Sequence, residues 1–307
     1  MTTAAPVPTS ADGPRRHRLI GWALIAPALA AVAIIAAYPL VYTVLVSFSK
    51  STLGRPFQSW VGWGQIVTAF TDGGQLASIL RSLEFAVPAA VLSVVIGLVI
   101  ALSLDTATRG GRVVRVIMLL PLMTPPVMAG VIWKLMFAPT GGLFNDLLAG
   151  AGLISEPVLF LGASPAAMIC LIVVDIWQWT PFCVLLIFAA LQSMPREVYE
   201  AAQVDGAGVW RTFRSVTFPL VLPSLVTVLM LKVIVSFKVF DLVFVMTSGG
   251  PGLDTNVASF NVYRTALQQF DLGAAGAQTI AFIVLVTIVV LPIATWRSRL
   301  LKAGSRA

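Results

Sequence analysis

The chain has 307 residues, 58% of them hydrophobic and only 11% charged, with a mean hydropathy of +0.93 and a net charge of +7. A soluble domain carries about 25% charged residues, so this composition excludes one, and several apolar runs reach the roughly 20 residues that cross a bilayer. The basic residues sit at the ends of those runs, not on one polar face, which sets nucleic-acid binding aside. The single histidine, His17, argues against a zinc site or a Ser-His triad.

A Pro-, Ala- and Thr-rich tail, disordered by composition, occupies 1–18 and ends in Arg15-Arg16-His17-Arg18. The apolar run after it is longer than a signal-peptide core and reads as a first span, Leu19 to Phe48. That span contains Pro27 and Pro39, with Tyr38 and Tyr42 near its far end, where aromatic rings favour the interface. The polar stretch to Ser82 contains Trp60 and Trp63 and is expected to hold a short helix lying at the surface. Span two covers Phe85 to Leu104. Span three covers Val116 to Phe137 and should be kinked or unwound at Pro121 and Pro125-Pro126. Span four runs from Ala166 to Leu191, span five from Leu220 to Met246, and span six from Ala277 to Trp296, before a tail at 297–307. Cys170 and Cys183 both fall in span four. If that span is one helix they lie about 20 Å apart, too far for a disulfide, and they read as packing residues.

Six spans put both termini on one side, and the Lys and Arg residues choose which. Thirteen of them flank the tails and the loops after spans two and four, including Arg109, Arg112, Arg115 and Arg306. The opposite loops hold Lys50, Arg55, Arg81 and Arg264. The positive-inside rule therefore puts both termini and the loop after span four in the cytoplasm.

Charged groups within a bilayer mark a pathway or a pair. Glu84 lies near Arg81 at a span end, where a surface pair suffices, and Lys134 is placed to snorkel. Asp175 sits midway along span four with Trp177, Gln178 and Trp179. Carboxylate and amide groups suit hydroxyls, and a flat indole suits the C–H face of a sugar. The other reading is a structural carboxylate paired with a lysine of span five. Lys238 and Asp241, three apart, should share one helix face and either pair or line the path. For the tryptophans, packing or an interface belt is the alternative.

The loop PREVYEAAQVDGAGVWRTFRSVTFPLVLP, Pro195 to Pro223, is the longest polar interruption between two spans. Pro195 and Glu197 suit a helix start. Val198, Ala201, Ala202 and Asp205 recur at helical spacing, and the two alanines make a face that another surface can approach closely. Gly206 and Gly208 end this helix, and Val209 to Val216 can form a second.

Glu200-Ala201-Ala202, three residues, Gly206, nine residues, then Val216-x-Phe218-Pro219 resembles the EAA loop of the permease subunits of binding-protein-dependent ATP-binding-cassette importers. Valine and phenylalanine replace that pattern's isoleucine and leucine. The form EAAQVDGAG is similar to the carbohydrate branch. Leu120-Pro121-Leu122-Met123-Thr124-Pro125-Pro126, Gly142-Leu143-Phe144-Asn145, Trp177-x-Trp179-Thr180-Pro181-Phe182 and Thr247-x-Gly249-Gly250-Pro251 look like further motifs of that branch, in its order.

The resemblance implies an all-α integral membrane protein with the type I importer permease fold: a six-span domain at 19–296 and a cytoplasmic coupling loop at 193–218. It implies that Glu200, Ala201, Ala202, Asp205, Gly206 and Ala207 meet a separate ATPase. The implied partners are a second permease, two ATPase subunits and an external solute-binding protein, in a bacterial plasma membrane. No G-x-x-x-x-G-K-[ST] stretch occurs, so ATP and Mg belong to the ATPase, no metal or cofactor is expected on this chain, and the chain is not itself an enzyme. The substrate would be a sugar or polyol, with Asp175, Trp177, Gln178, Trp179, Lys238 and Asp241 as path residues. The rivals are an importer permease for a non-sugar solute, an ion-coupled secondary transporter, which leaves the EAA spacing unexplained, and a membrane enzyme, for which no catalytic constellation is present.

The orientation is open to direct measurement. In a cysteine-free background, cysteines at Ser155 and Asp254 should react with an impermeant thiol reagent on intact cells, and one at Ser305 should not. Reaction at 305 alone would invert the topology.

Overall fold

The computed structural model describes residues 14–106 and 111–304. The expected tail at 1–13, Arg109 and Arg306 lie outside the described residues. Helix α1 (Pro14–Ser47) begins before the expected span, so positions 15–18 are helical and not part of a tail. A two-stranded antiparallel hairpin follows, β1 (Ser49–Thr52) and β2 (Arg55–Trp60), then the expected surface helix α2 (Gly64–Thr71). Helix α3 (Gly73–Thr106) starts a dozen residues before the apolar run of span two. The hairpin is an addition to the expected all-α architecture.

Span three is broken. Helices α4 (Gly111–Met123) and α5 (Pro126–Met136) meet at 97°. Pro125 sits in extended backbone and Pro126 opens α5, because a residue before proline is driven out of the helical region. Helix α6 (Leu143–Gly150) lies in the next loop, where buried Asn145 bonds the Ala138 carbonyl and both backbone groups of Val158. Helix α7 (Ala166–Gln192) is span four, and its two cysteines are buried and free.

The loop after α7 holds α8 (Arg196–Val204) and α9 (Val209–Thr212). Helix α9 passes through a wide π turn at 213–217 directly into α10 (Phe218–Phe237), so that Val209–Phe237 is one apolar rod. Span five was expected to reach Met246, but α10 stops at Phe237, and α11 (Asp241–Met246) starts afresh after a break. No proline forces that break. The Ser259 hydroxyl, from α12 (Ala258–Tyr263), donates to the Val239 carbonyl and satisfies it outside the helix. Helix α13 (Leu272–Gly304) is the last span. Among the described residues five helices are long and apolar enough to cross a membrane, and a sixth span results if the bent α4–α5 pair crosses as one.

Helices α3 and α7 form the centre. A buried stripe of small residues on α3, Ala86, Ala90, Ser93, Gly97 and Ala101, lets the two backbones approach closely, which is how helices pack where lipid removes the hydrophobic drive. A methyl group on Gly97 would stand 2.9 Å from the Cys183 Cβ. One apolar cluster packs α3, α7 and α10 with α11 and α12; a second packs the other halves of the same three helices toward the 196–217 loop. Gly130 of α5 faces Val245 of α11 with similarly little space.

Gly97→Val should therefore lower thermal stability by about 1–3 kcal/mol, the usual cost of overpacking. Val95→Leu, on the exposed side of the same helix, should not. If Gly97→Val melts with the wild type, the α3–α7 approach is not tight.

Candidate functional site

Asp175, Gln178 and Trp179 stand at i, i+3 and i+4 on α7 and so share a face. Both interrupted spans reach that face. A cavity of about 210 Å³ lies between them, lined by Asp175, Gln178 and Trp179, by Pro126 at the α4–α5 break, and by Lys238, Phe240 and Asp241 at the α10–α11 break. The Gln178 Nε2 donates to the Thr124 carbonyl at 2.9 Å, satisfying an acceptor at the first break, while its Oε1 has no partner among the described residues.

The charges within this region are not equivalent. Asp175 and Lys232 are both buried and form an ion pair at 2.5 Å between α7 and α10. The Lys232 ammonium also donates to the Ser236 hydroxyl at 2.8 Å, one turn along α10, and stands 5.8 Å from the centre of the Trp179 ring. The span-five lysine considered as a partner for Asp175 is thus Lys232. Lys238 is exposed and Asp241 half-buried, and neither forms an ion pair among the described residues.

Two expectations about path residues need correction. Lys238 and Asp241 do not share a helix face: Lys238 closes α10 and Asp241 opens α11, on opposite sides of a break. Trp177 does not line the cavity. Two residues are about 200° of helix, so it points away from Asp175 and Trp179, and it meets Trp133 edge-to-face at 5.5 Å in a cluster with Phe137 and Phe144. Lys134, expected to snorkel, is exposed, and its ammonium donates to the Val245 carbonyl at 2.9 Å, at the end of α11. Glu84 and Arg81 form no ion pair among the described residues, and with Asp254 they line a separate cavity of about 470 Å³. Lys232 and Pro126 were not among the expected path residues. A lysine in an apolar run flags Lys232, and the paired prolines flag Pro126.

At the far end of the rod, α8 closes as a Schellman motif. Ala207 N–H bonds the Ala202 carbonyl at 2.9 Å and Gly206 N–H bonds that of Gln203 at 3.0 Å. Gly206 has φ +67°, the left-handed conformation that glycine supplies without strain. Glu200, Ala201 and Asp205 are exposed, but Ala202 is buried by the chain itself. The face carrying Val198, Ala202 and Asp205 borders a groove shared with Arg211, Ser215 and Val216. That corrects the expectation that both alanines are open to a partner. The uncovered apolar surface of the loop is instead Val204, 88% exposed, Val209, 91% exposed, and Trp210 beside them.

The family model described as "binding-protein-dependent transport system inner membrane component" matches residues 93–302. The trehalose/maltose transport system permease protein MalF of Thermococcus litoralis is 33% identical over 288 residues, which cover 92% of this chain and 96% of that protein. The osmoprotective compounds uptake permease protein GgtC of Synechocystis is 34% identical over 288 residues, with 92% and 99% covered. A crystal structure of a bacterial ABC transporter that imports the acidic polysaccharide alginate superposes with a TM-score of 0.81 at 22% identity, over 92% of this chain and 96% of that one, a likeness of fold.

The ion pair sets a stability test. Lys232→Met alone leaves Asp175 buried and unpaired and should cost about 3–5 kcal/mol. Asp175→Leu combined with Lys232→Met should recover most of that loss in a thermal melt. If the single variant melts with the wild type, the pair does not hold α7 to α10.

Proposed function

Because the chain belongs to the family of binding-protein-dependent transport system inner membrane components, we propose that it is the permease subunit of an ATP-driven importer of sugars or polyols. It forms half of the translocation path, and a second, similar permease forms the other half. A solute-binding protein outside the membrane delivers the substrate, and ATP and Mg stay on separate ATPase subunits. Both termini and the 193–218 loop face the cytoplasm, by the bias of Lys and Arg.

The substrate class rests on the cavity and on the relatives named for trehalose/maltose and for osmoprotective compounds. Gln178, Lys238 and Asp241 offer donors and acceptors for hydroxyl groups, and Trp179 offers a flat face for a sugar ring. Among the described residues no arginine lines this cavity, which favours a neutral solute over a phosphorylated one. Asp175 borders the same space with its charge already matched by Lys232.

The observation that carries the coupling is the rod Val209–Phe237. Its first turn belongs to the loop that would meet the ATPase. Its last turns hold Lys232 and Ser236 and end at the cavity. From Val209 to Lys232 is about 35 Å of helix. A push on the loop moves this rod, the Asp175–Lys232 pair passes the movement to α7, and Gln178 passes it to the break at Thr124. Glu200, Ala201 and Asp205, with the Val204, Val209 and Trp210 edge, form the contact; Gly206 and Ala207 hold its shape.

Gly206→Val tests this. No atom lies within 4 Å of the position a Cβ would take, so the change adds only left-handed strain of about 1–2 kcal/mol. Trp210→Ser removes exposed apolar surface together with one ring contact, to Phe213. The expected outcome is inserted protein with reduced ATPase co-purification, or with hydrolysis uncoupled from uptake of a labelled sugar in proteoliposomes. Wild-type co-purification and uptake in both variants would remove the loop from the coupling route.

A further inference from the structure

The segment between α1 and α3 has no role in the cavity or the coupling route, yet it is firmly built. Ser49 and Ser51 are buried with their hydroxyls 2.7 Å apart, and Ser51 accepts the Phe57 N–H at 2.9 Å. Val61 N–H bonds the Phe48 carbonyl, and Leu53 N–H bonds that of Phe270, next to α13. Thr52 bridges Asp271. The hairpin is thus fastened to the ends of both spans.

On this rigid base the segment exposes large aromatic rings. Every residue of β2 is exposed; Trp60 is 65% and Trp63 68% exposed. Helix α2 has an apolar face that is only half covered. Ile66 and Ala69 are buried, whereas Trp63, Val67 and Phe70, at i, i+4 and i+7, form an uncovered stripe. Apolar surface of this kind on a short, ordered element needs an occupant.

The rings themselves identify it. Tyr38 and Tyr42 stack at 6.2 Å on α1, Tyr42 meets Phe57 edge-to-face at 5.6 Å, and Phe57 adjoins Trp60 at 6.1 Å. Phe57 has φ +57°, a conformation that bulky residues seldom adopt, and its ring lies against Tyr42. The column therefore starts on the flank of α1, a span with none of its apolar window buried, and runs without interruption onto the hairpin. A surface continuous with the flank of a span meets what that flank meets. Tyr and Trp, apolar in body and polar at one edge, settle at the headgroup level of a bilayer, and a half-covered amphipathic helix lies in that plane.

We propose that residues 48–71 form a membrane-surface platform whose occupant is lipid: Phe57, Trp60, Trp63, Val67 and Phe70 enter the headgroup region of the leaflet at that end of α1. The proposal rests on the bilayer crossing of α1 and is independent of substrate and of ATPase coupling, so a correctly inserted but inactive transporter gives the same answer.

The test is spin-label depth in the full chain reconstituted into phosphatidylcholine–phosphatidylglycerol nanodiscs, with Cys170 and Cys183 replaced by alanine. Labels go on Trp60→Cys, Trp63→Cys and Val67→Cys, the last a milder change should a tryptophan prove necessary for folding. The expected result is a shift toward bilayer contact, with relaxation by oxygen exceeding relaxation by a water-soluble nickel chelate at each labelled site. Dominant relaxation by the nickel chelate would place the platform in water and overturn the proposal. Suppression of both in the assembled transporter would overturn it too, because the second permease or the binding protein would then be the cover.

Discussion

The Asp175–Lys232 pair constrains everything around it. An ammonium group in hydrocarbon is expensive unless a partner neutralises it and its protons are bonded. Lys232 meets both demands, with Asp175 on α7 and Ser236 on its own helix. The helix that carries Lys232 cannot slide along α7 without exposing two opposite charges to an apolar surround. Because α7 is also locked to α3 through Gly97, three spans form one unit, and the bent and interrupted spans are arranged against it.

Two broken spans would be costly if their freed backbone groups faced lipid, where each unsatisfied group costs several kcal/mol. Here three carbonyls near the breaks are answered by side chains from other elements. Gln178 bonds the Thr124 carbonyl, Ser259 that of Val239, and Lys134 that of Val245. The irregular backbone therefore lines a cavity at little energetic penalty, and the same bonds that make it tolerable tie the cavity wall to α7, α12 and α5. A permease needs such a wall, since regular helices present only side chains, whereas breaks also present backbone groups and helix ends to a solute.

Spans one, two, four and six were legible in the sequence because lipid selects for hydropathy, a property of local composition. Gly206 was legible because a glycine at the end of a helical pattern has a local reason to be there. Trp177 was open to correction from helix arithmetic alone. The end of α10 was not legible: nothing from Ser236 to Asp241 breaks a helix by itself, and the hydroxyl that bonds the Val239 carbonyl there lies 20 residues away at Ser259. Asp175 and Lys232 were each conspicuous as charges, but their pairing across 57 residues is a tertiary fact. The burial of Ala202 depends on where the chain returns after Gly206, and the hairpin depends on bonds to Phe270 and Asp271, both remote in sequence.

The wide turn at 213–217 has a consequence for the length of the chain. A π turn holds one residue more than an α turn. Deleting one residue there would turn it into ordinary helix and rotate everything before it by about 100° relative to α10. Trp210 and Val209 would then face a different side of the molecule while every residue of the EAA pattern remained present. Sequence drift in this subunit is therefore constrained by number as well as by identity: the nine residues between Gly206 and Val216 can change type, but insertions and deletions among them re-aim the loop.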